Sequence, residues 1–131
     1  MLETEQQAFR SRSNASAEQI ADLEAFRLRL VEANTVMNLV GPDSLPDFWN
    51  RHVWDSAQLL DLAPEAKTWA DLGAGAGFPG LILSIMLKGR DGAHVWLIDS
   101  LAKRCRFLRE VVDALSLPAK VIVGRAEAQS V

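Results

Sequence analysis

Apolar residues settle into a helical rhythm at Ile20, Leu23, Phe26, Leu30 and Val31, with Glu18, Asp22, Glu24, Arg27 and Arg29 between them. Positions three and four apart share a helix face, so this spacing predicts a helix over about 17–33. Ser16 stands before it with Gln19 three residues on, the pattern of a capping box. The stretch "GPDSLP" then breaks the chain. Ser44 offers a second cap, with Pro46 and Asp47 in the first turn, and "DFWNRHVWDSAQLL" reads as a second helix.

Near residue 67 the rhythm changes. "KTWADL" reads as a short strand that runs into "GAGAGFPG". Pro79 suits the first turn of a helix that continues through Leu81, Ile82, Leu83, Ile85 and Met86 to about Lys88. "GRDG" is a turn, and "HVWLID" a second strand ending at Asp99. Residues 101–115 form a further helix with Leu101, Leu108, Val111, Val112 and Leu115 on its apolar side. Leu117-Pro118 ends it, and "KVIVG" is a third strand. Strand, helix, strand, helix, strand predicts an α/β fold whose sheet is parallel with right-handed crossovers. Residues 1–65 are then a helical extension packed on or capping the sheet, and 66–131 carry the sheet itself.

The glycine stretch allows two registers. Counted from Gly73 it reads G-x-G-x-G, with Asp71 two residues ahead; from Gly75 it reads G-x-G-x-x-G, the dinucleotide pattern. A loop between a strand and a helix start brings a ligand close to the backbone and to unpaired N–H groups. A pyrophosphate would suit that position, but a carboxylate at its mouth would repel it. The same Asp71 is compatible with the ammonium and sulfonium of S-adenosyl-L-methionine. Asp99, at the end of the second strand, is placed to accept hydrogen bonds from ribose hydroxyls of either ligand. The competing readings are an NAD(P)- or flavin-dependent oxidoreductase and a turn that binds nothing.

Other features narrow the picture. Net charge is -3, divided into -6 over residues 1–65 and +3 over 66–131. That balance argues against a dedicated nucleic-acid clamp and leaves room for a local basic patch. Lys103, Arg104, Arg106 and Arg109 fall on or near one side of a helix, and Arg125 lies just beyond the third strand. These positions suit RNA phosphates, or equally a solvated helix face. Arg51, His52, Asp55 and Ser56 share one helix, whose polar face packs over the glycine loop, meets RNA, or docks the helix to the sheet through polar contacts, the last being the preferred reading for Asp55 and Ser56. Trp49 and Trp54 read as core anchors in preference to base-stacking platforms. A single cysteine, Cys105, excludes an internal disulfide and fits a cytoplasmic setting. Two histidines, His52 and His94, offer no credible metal site. No run of eighteen apolar residues occurs, and "MLETEQQAFR" lacks the apolar region of a secretory signal.

The order of "MNLVG", "RHVWDS", "DLGAGAGFPG", "LIDSLAKRCRFL" and "GRAE" resembles the bacterial 16S ribosomal RNA guanine-N7 methyltransferases, the family once called glucose-inhibited division protein B. The matching stretches span about Asn34 to Glu127. The resemblance implies a Rossmann-like methyltransferase fold that uses S-adenosyl-L-methionine and acts on 16S ribosomal RNA or the small ribosomal subunit. Carried over by position, it implies that Gly73, Gly75, Gly77 and Phe78 line the methionine and ribose side. Asp99 would take the ribose, and Ala126 and Glu127 the adenine. It also favours RNA contact for Lys103 and Arg104, beside Arg51 and His52. Family members continue past the third strand, with later strands returning beside the first. A chain ending at Val131 is therefore expected to be a fragment or truncated form, with a non-catalytic cofactor-binding fragment as an alternative, or to cover the exposed edge by self-association.

Overall fold

A computed structural model describes residues 2–41 and 45–125, the side chains from Glu5 onward. Ser44, Ala126 and Glu127 lie outside the described residues. The elements run α1 (Leu2–Ser13), α2 (Ala17–Asn34), a 3₁₀ turn (Leu45–Asp47), a π-helical turn (Phe48–Val53) and α3 (Trp54–Leu62). Then follow β1 (Thr68–Leu72), α4 (Gly80–Leu87), β2 (His94–Asp99), α5 (Ala102–Leu115) and β3 (Ala119–Val123).

The three strands form one parallel sheet in the order β1-β2-β3. The register pairs Asp71 with Leu97 and Leu97 with Val121, so these residues share a face. Helices α4 and α5 pack on the strands, and α2 packs in turn on both helices. Leu97 is fully buried, and a side-chain carbon placed on Gly80 of α4 would run into it, which locates α4 over that face. Thr68, Ala70 and Leu72 on β1 are exposed. Among the described residues no helix is long and apolar enough to cross a membrane.

The capping box forms as the sequence predicts. Ser16 Oγ accepts from the Gln19 amide at 3.1 Å, and the Ser16 amide donates to Gln19 Oε1 at 2.8 Å. The same Gln19 side chain donates to the Met86 carbonyl at 3.0 Å, and Lys88 pairs with Asp22 at 3.0 Å. The start of α2 is thereby tied to the end of α4. One core cluster, from Phe9 through Leu23, Phe26, Leu30, Phe48 and Trp49 to Leu97, Leu108 and Val121, spans the helical extension and the sheet.

Two elements differ from the sequence reading. Residues 2–13 form α1, in which Phe9 is the one buried side chain from Glu5 to Ser13, so no apolar stripe marks that stretch. The helix predicted to run through Phe48 is interrupted by the π-helical turn. Its extra residue per turn brings Phe48, Trp49 and Val53 into the core together. The α-helical part begins at Trp54.

Candidate cofactor and RNA site

The loop between β1 and α4 is held by two strand-end carboxylates and one carbonyl. Gly73 and Ala74 amides donate to the Ile98 carbonyl at 2.8 and 2.9 Å, which ties the loop to the end of β2. The Gly75 amide donates to Asp99 Oδ1 at 3.1 Å. The Gly80 amide, at the first position of α4, donates to Asp71 Oδ2 at 2.9 Å. Gly77 has φ +105°, a conformation that L side chains rarely adopt, and it lies against Leu81 and Phe26. Gly73, at φ +90°, has no atom within 4 Å of where a Cβ would stand. The Phe78-Pro79 peptide is cis.

Beside this loop, at the carboxyl ends of the strands, Leu72, Gly73, Ile98, Asp99, Ser100, Arg104, Gly124 and Arg125 enclose about 510 Å³. Ligands of open parallel sheets bind at these strand ends. Asp99 is buried, 4% exposed, and its Oδ2 accepts from the Leu101 amide at 3.0 Å and from Arg104 Nε at 2.8 Å.

The placement of Asp71 corrects the picture drawn from sequence. Its side chain is partly buried beneath the loop and caps α4, and it is not among the residues lining the Asp99 cavity. Burial pushes its carboxyl pKa up; the Gly80 N–H opposes that shift, and the charge of Asp99 adds to it. The separation of nine residues between Asp71 and Gly80 carries no local pattern that would have revealed the bond.

The basic residues of α5 divide in two. Lys103 and Arg106 line a groove of about 620 Å³ with Arg29, Glu32, Phe107 and Glu110. Arg104 turns instead into the Asp99 cavity. The shared face expected for Lys103 and Arg104 is therefore not formed, because successive helix positions point about 100° apart. Cys105, between Arg104 and Arg106, is buried, its Sγ 3.4 Å from the Asp99 carbonyl, and burial raises its pKa.

The polar face of the 51–56 segment meets the loop. His52 stacks on Phe78, with centroids 4.3 Å apart and planes 4° from parallel. Arg51, His52, Asp55, Ser56, Leu59, Phe78 and Pro79 line a cleft of about 330 Å³. Trp49 is fully buried against Phe9 and Phe48, as a core anchor, and Trp54 packs on Phe9 and under the Arg12 guanidinium.

A parallel sheet with a glycine loop after β1 and a buried acid at the end of β2 defines the class of α/β cofactor-binding folds. Within that class, the model of the family "GidB: rRNA small subunit methyltransferase G" matches residues 19–131. The chain belongs to that family. It is 58% identical over 119 residues to the ribosomal RNA small subunit methyltransferase G of Caulobacter sp. (strain K31), covering 91% of this chain and 54% of that protein. The protein of the same name from Methylorubrum populi is 48% identical over 88% of this chain and 54% of its own length. That from Methylobacterium sp. (strain 4-46) is 41% identical over 97% of this chain and 60% of its own. The chain thus spans a little over half the length of these relatives.

Proposed function

We propose that the chain forms the cofactor-binding half of an S-adenosyl-L-methionine-dependent methyltransferase that modifies guanine N7 in 16S ribosomal RNA. The observation that carries the cofactor choice is the Asp71–Gly80 bond. The start of a helix after a glycine loop is where a pyrophosphate would be seated. Here a carboxylate already occupies it, and the next amide, Leu81, donates to the Gly77 carbonyl at 2.8 Å. A diphosphate arriving there would displace one anion to install another. S-adenosyl-L-methionine brings no phosphate and makes no such demand.

The residues present fit that cofactor. The open backbone at Gly73 admits a ligand close to the chain, and Asp99 supplies a buried acceptor for ribose hydroxyls. Gly75 and Gly77 set the shape of the loop, Asp71 holds it against α4, and Phe78 stands at its far end beside His52. Ala126 and Glu127 would meet the adenine. When bound, the cofactor supplies a methyl group on a sulfonium. Guanine N7 carries an in-plane lone pair and is unprotonated at neutral pH, so the protein needs no general base. Its work is to align the acceptor and exclude water. The cleft of His52, Phe78 and Asp55 offers an aromatic surface and a carboxylate, chemistry that suits a ring gaining positive charge. N7 lies in the deep groove of paired RNA, so a loop or opened junction is the accessible target. Arg51 and Lys103 are the cations assigned to its phosphates, while Arg104 is held by Asp99.

Among the described residues no strand pairs with β1 on the side away from β2, and Leu72 there is 59% exposed. Closure of that edge, by further chain of the relatives' length or by a second copy, belongs to the same reading. The cytoplasm is where such a substrate is met. The test is methyl transfer to small subunits lacking N7 methylation, using this chain and a form extended to the relatives' length. The reading expects N7-methylguanine in 16S RNA with the extended form. Methylation at another atom, or none with either form, would overturn it.

A further inference from the structure

The carboxylate of Asp99 is crowded. A carboxylate offers about four lone-pair positions. Gly75 N takes one at Oδ1, while Leu101 N and Arg104 Nε take two at Oδ2. A ribose diol gripped by both hydroxyls needs two positions, so one existing donor must leave. Gly75 and Leu101 donate from the backbone, one within a loop tied to Ile98 and the other at the start of α5. Arg104 donates from a long side chain that is 36% exposed and lines the same cavity. It is the donor that can leave without moving the main chain.

We propose that Arg104 is a specificity-determining residue of the cofactor site, a removable occupant of the ribose position that the ligand must displace from Asp99. The proposal rests on Asp99 as the ribose-binding acid. In the free protein Arg104 neutralises a buried carboxylate and keeps it aimed at the cavity. A ligand bearing two adjacent hydroxyls replaces that hydrogen bond, and one lacking them does not. The measured affinity is then the ribose contact less the cost of parting the ion pair.

The experiment is calorimetric titration of S-adenosylhomocysteine into the whole chain, as wild type, Arg104→Met, Arg104→Gln and Arg104→Lys, each with its urea midpoint. A displaced Arg104 predicts about three- to tenfold tighter binding for Met and Gln, with Lys between them and wild type. It also predicts that raising salt from about 0.05 M to about 0.5 M tightens binding by wild type and leaves Arg104→Met unmoved, because salt weakens the competing ion pair. A merely structural Arg104 would not produce that salt difference. Equal or weaker binding by both folded neutral variants overturns the proposal while leaving the cofactor reading standing. Absence of saturable binding by every chain overturns the cofactor reading, and the proposal with it.

Discussion

Replacing Gly77 with alanine tests how the helical extension and the loop support one another. Gly77 sits at φ +105°, where an L side chain is strained by about 1–3 kcal/mol. The new Cβ would also overlap Leu81 Cδ1 and stand 2.9 Å from Leu81 Cγ and 3.1 Å from Phe26 Cζ, in two fully buried side chains. Overpacking of that kind costs about 1–3 kcal/mol. Together they reach about 2–6 kcal/mol, a large share of the 5–15 kcal/mol or so that holds a small domain folded. Gly73→Ala is the control. Its φ is +90°, yet nothing lies within 4 Å of the added carbon. It carries the backbone cost and the same change in the unfolded chain, but not the clash. Urea unfolding should therefore place Gly77→Ala below Gly73→Ala by about 1–3 kcal/mol, a midpoint difference of about 1 M at the usual slope. Equal midpoints would refute the claim that Leu81 of α4 and Phe26 of α2 limit the space beneath the loop.

Asp71→Asn should show a pH signature. The carboxyl is held above its ordinary value, so the folded state binds its proton more tightly than the unfolded state. That contribution to wild-type stability is lost as pH rises from the ordinary carboxylate range through the raised value. Asparagine does not titrate and its carbonyl still accepts from Gly80. Its stability relative to wild type should improve from about pH 3 to about pH 7, read by urea midpoints; a constant or opposite trend contradicts the burial argument. Ser16→Ala removes one side of the capping box and should cost about 1 kcal/mol in thermal or urea unfolding. No loss would show that the bonds from α2 to Met86 and Lys88 carry the helix start without the cap.

Most of the sheet region was readable from residue order because its signals are local. The short apolar run in "HVWLID", the glycines after "WADL" and the Ser16 cap each fix their element within a few residues. What escaped was set by distance or by tertiary demand. Helix α1 exposes polar residues around Phe9, so no periodicity announces it. The π-helical turn answers the need to bury Phe48, Trp49 and Val53 at once, which a regular count cannot foresee. At the site, Asp71 and Asp99 stood out as acids near the carboxyl ends of strands. Which amide each would hold depended on how the loop folds back over the strand ends. Arg104 read as one of a basic row because sequence spacing does not say which way a long side chain turns.

What fills the start of α4 decides which cofactor the loop can hold. A crystal soaked with equal concentrations of S-adenosylhomocysteine and NADH tests this directly. The prediction is an adenosine ribose on the Asp99 carboxylate, with Asp71 still bonded to the Gly80 amide. A diphosphate on that amide, with the Asp71 side chain turned aside, would contradict it.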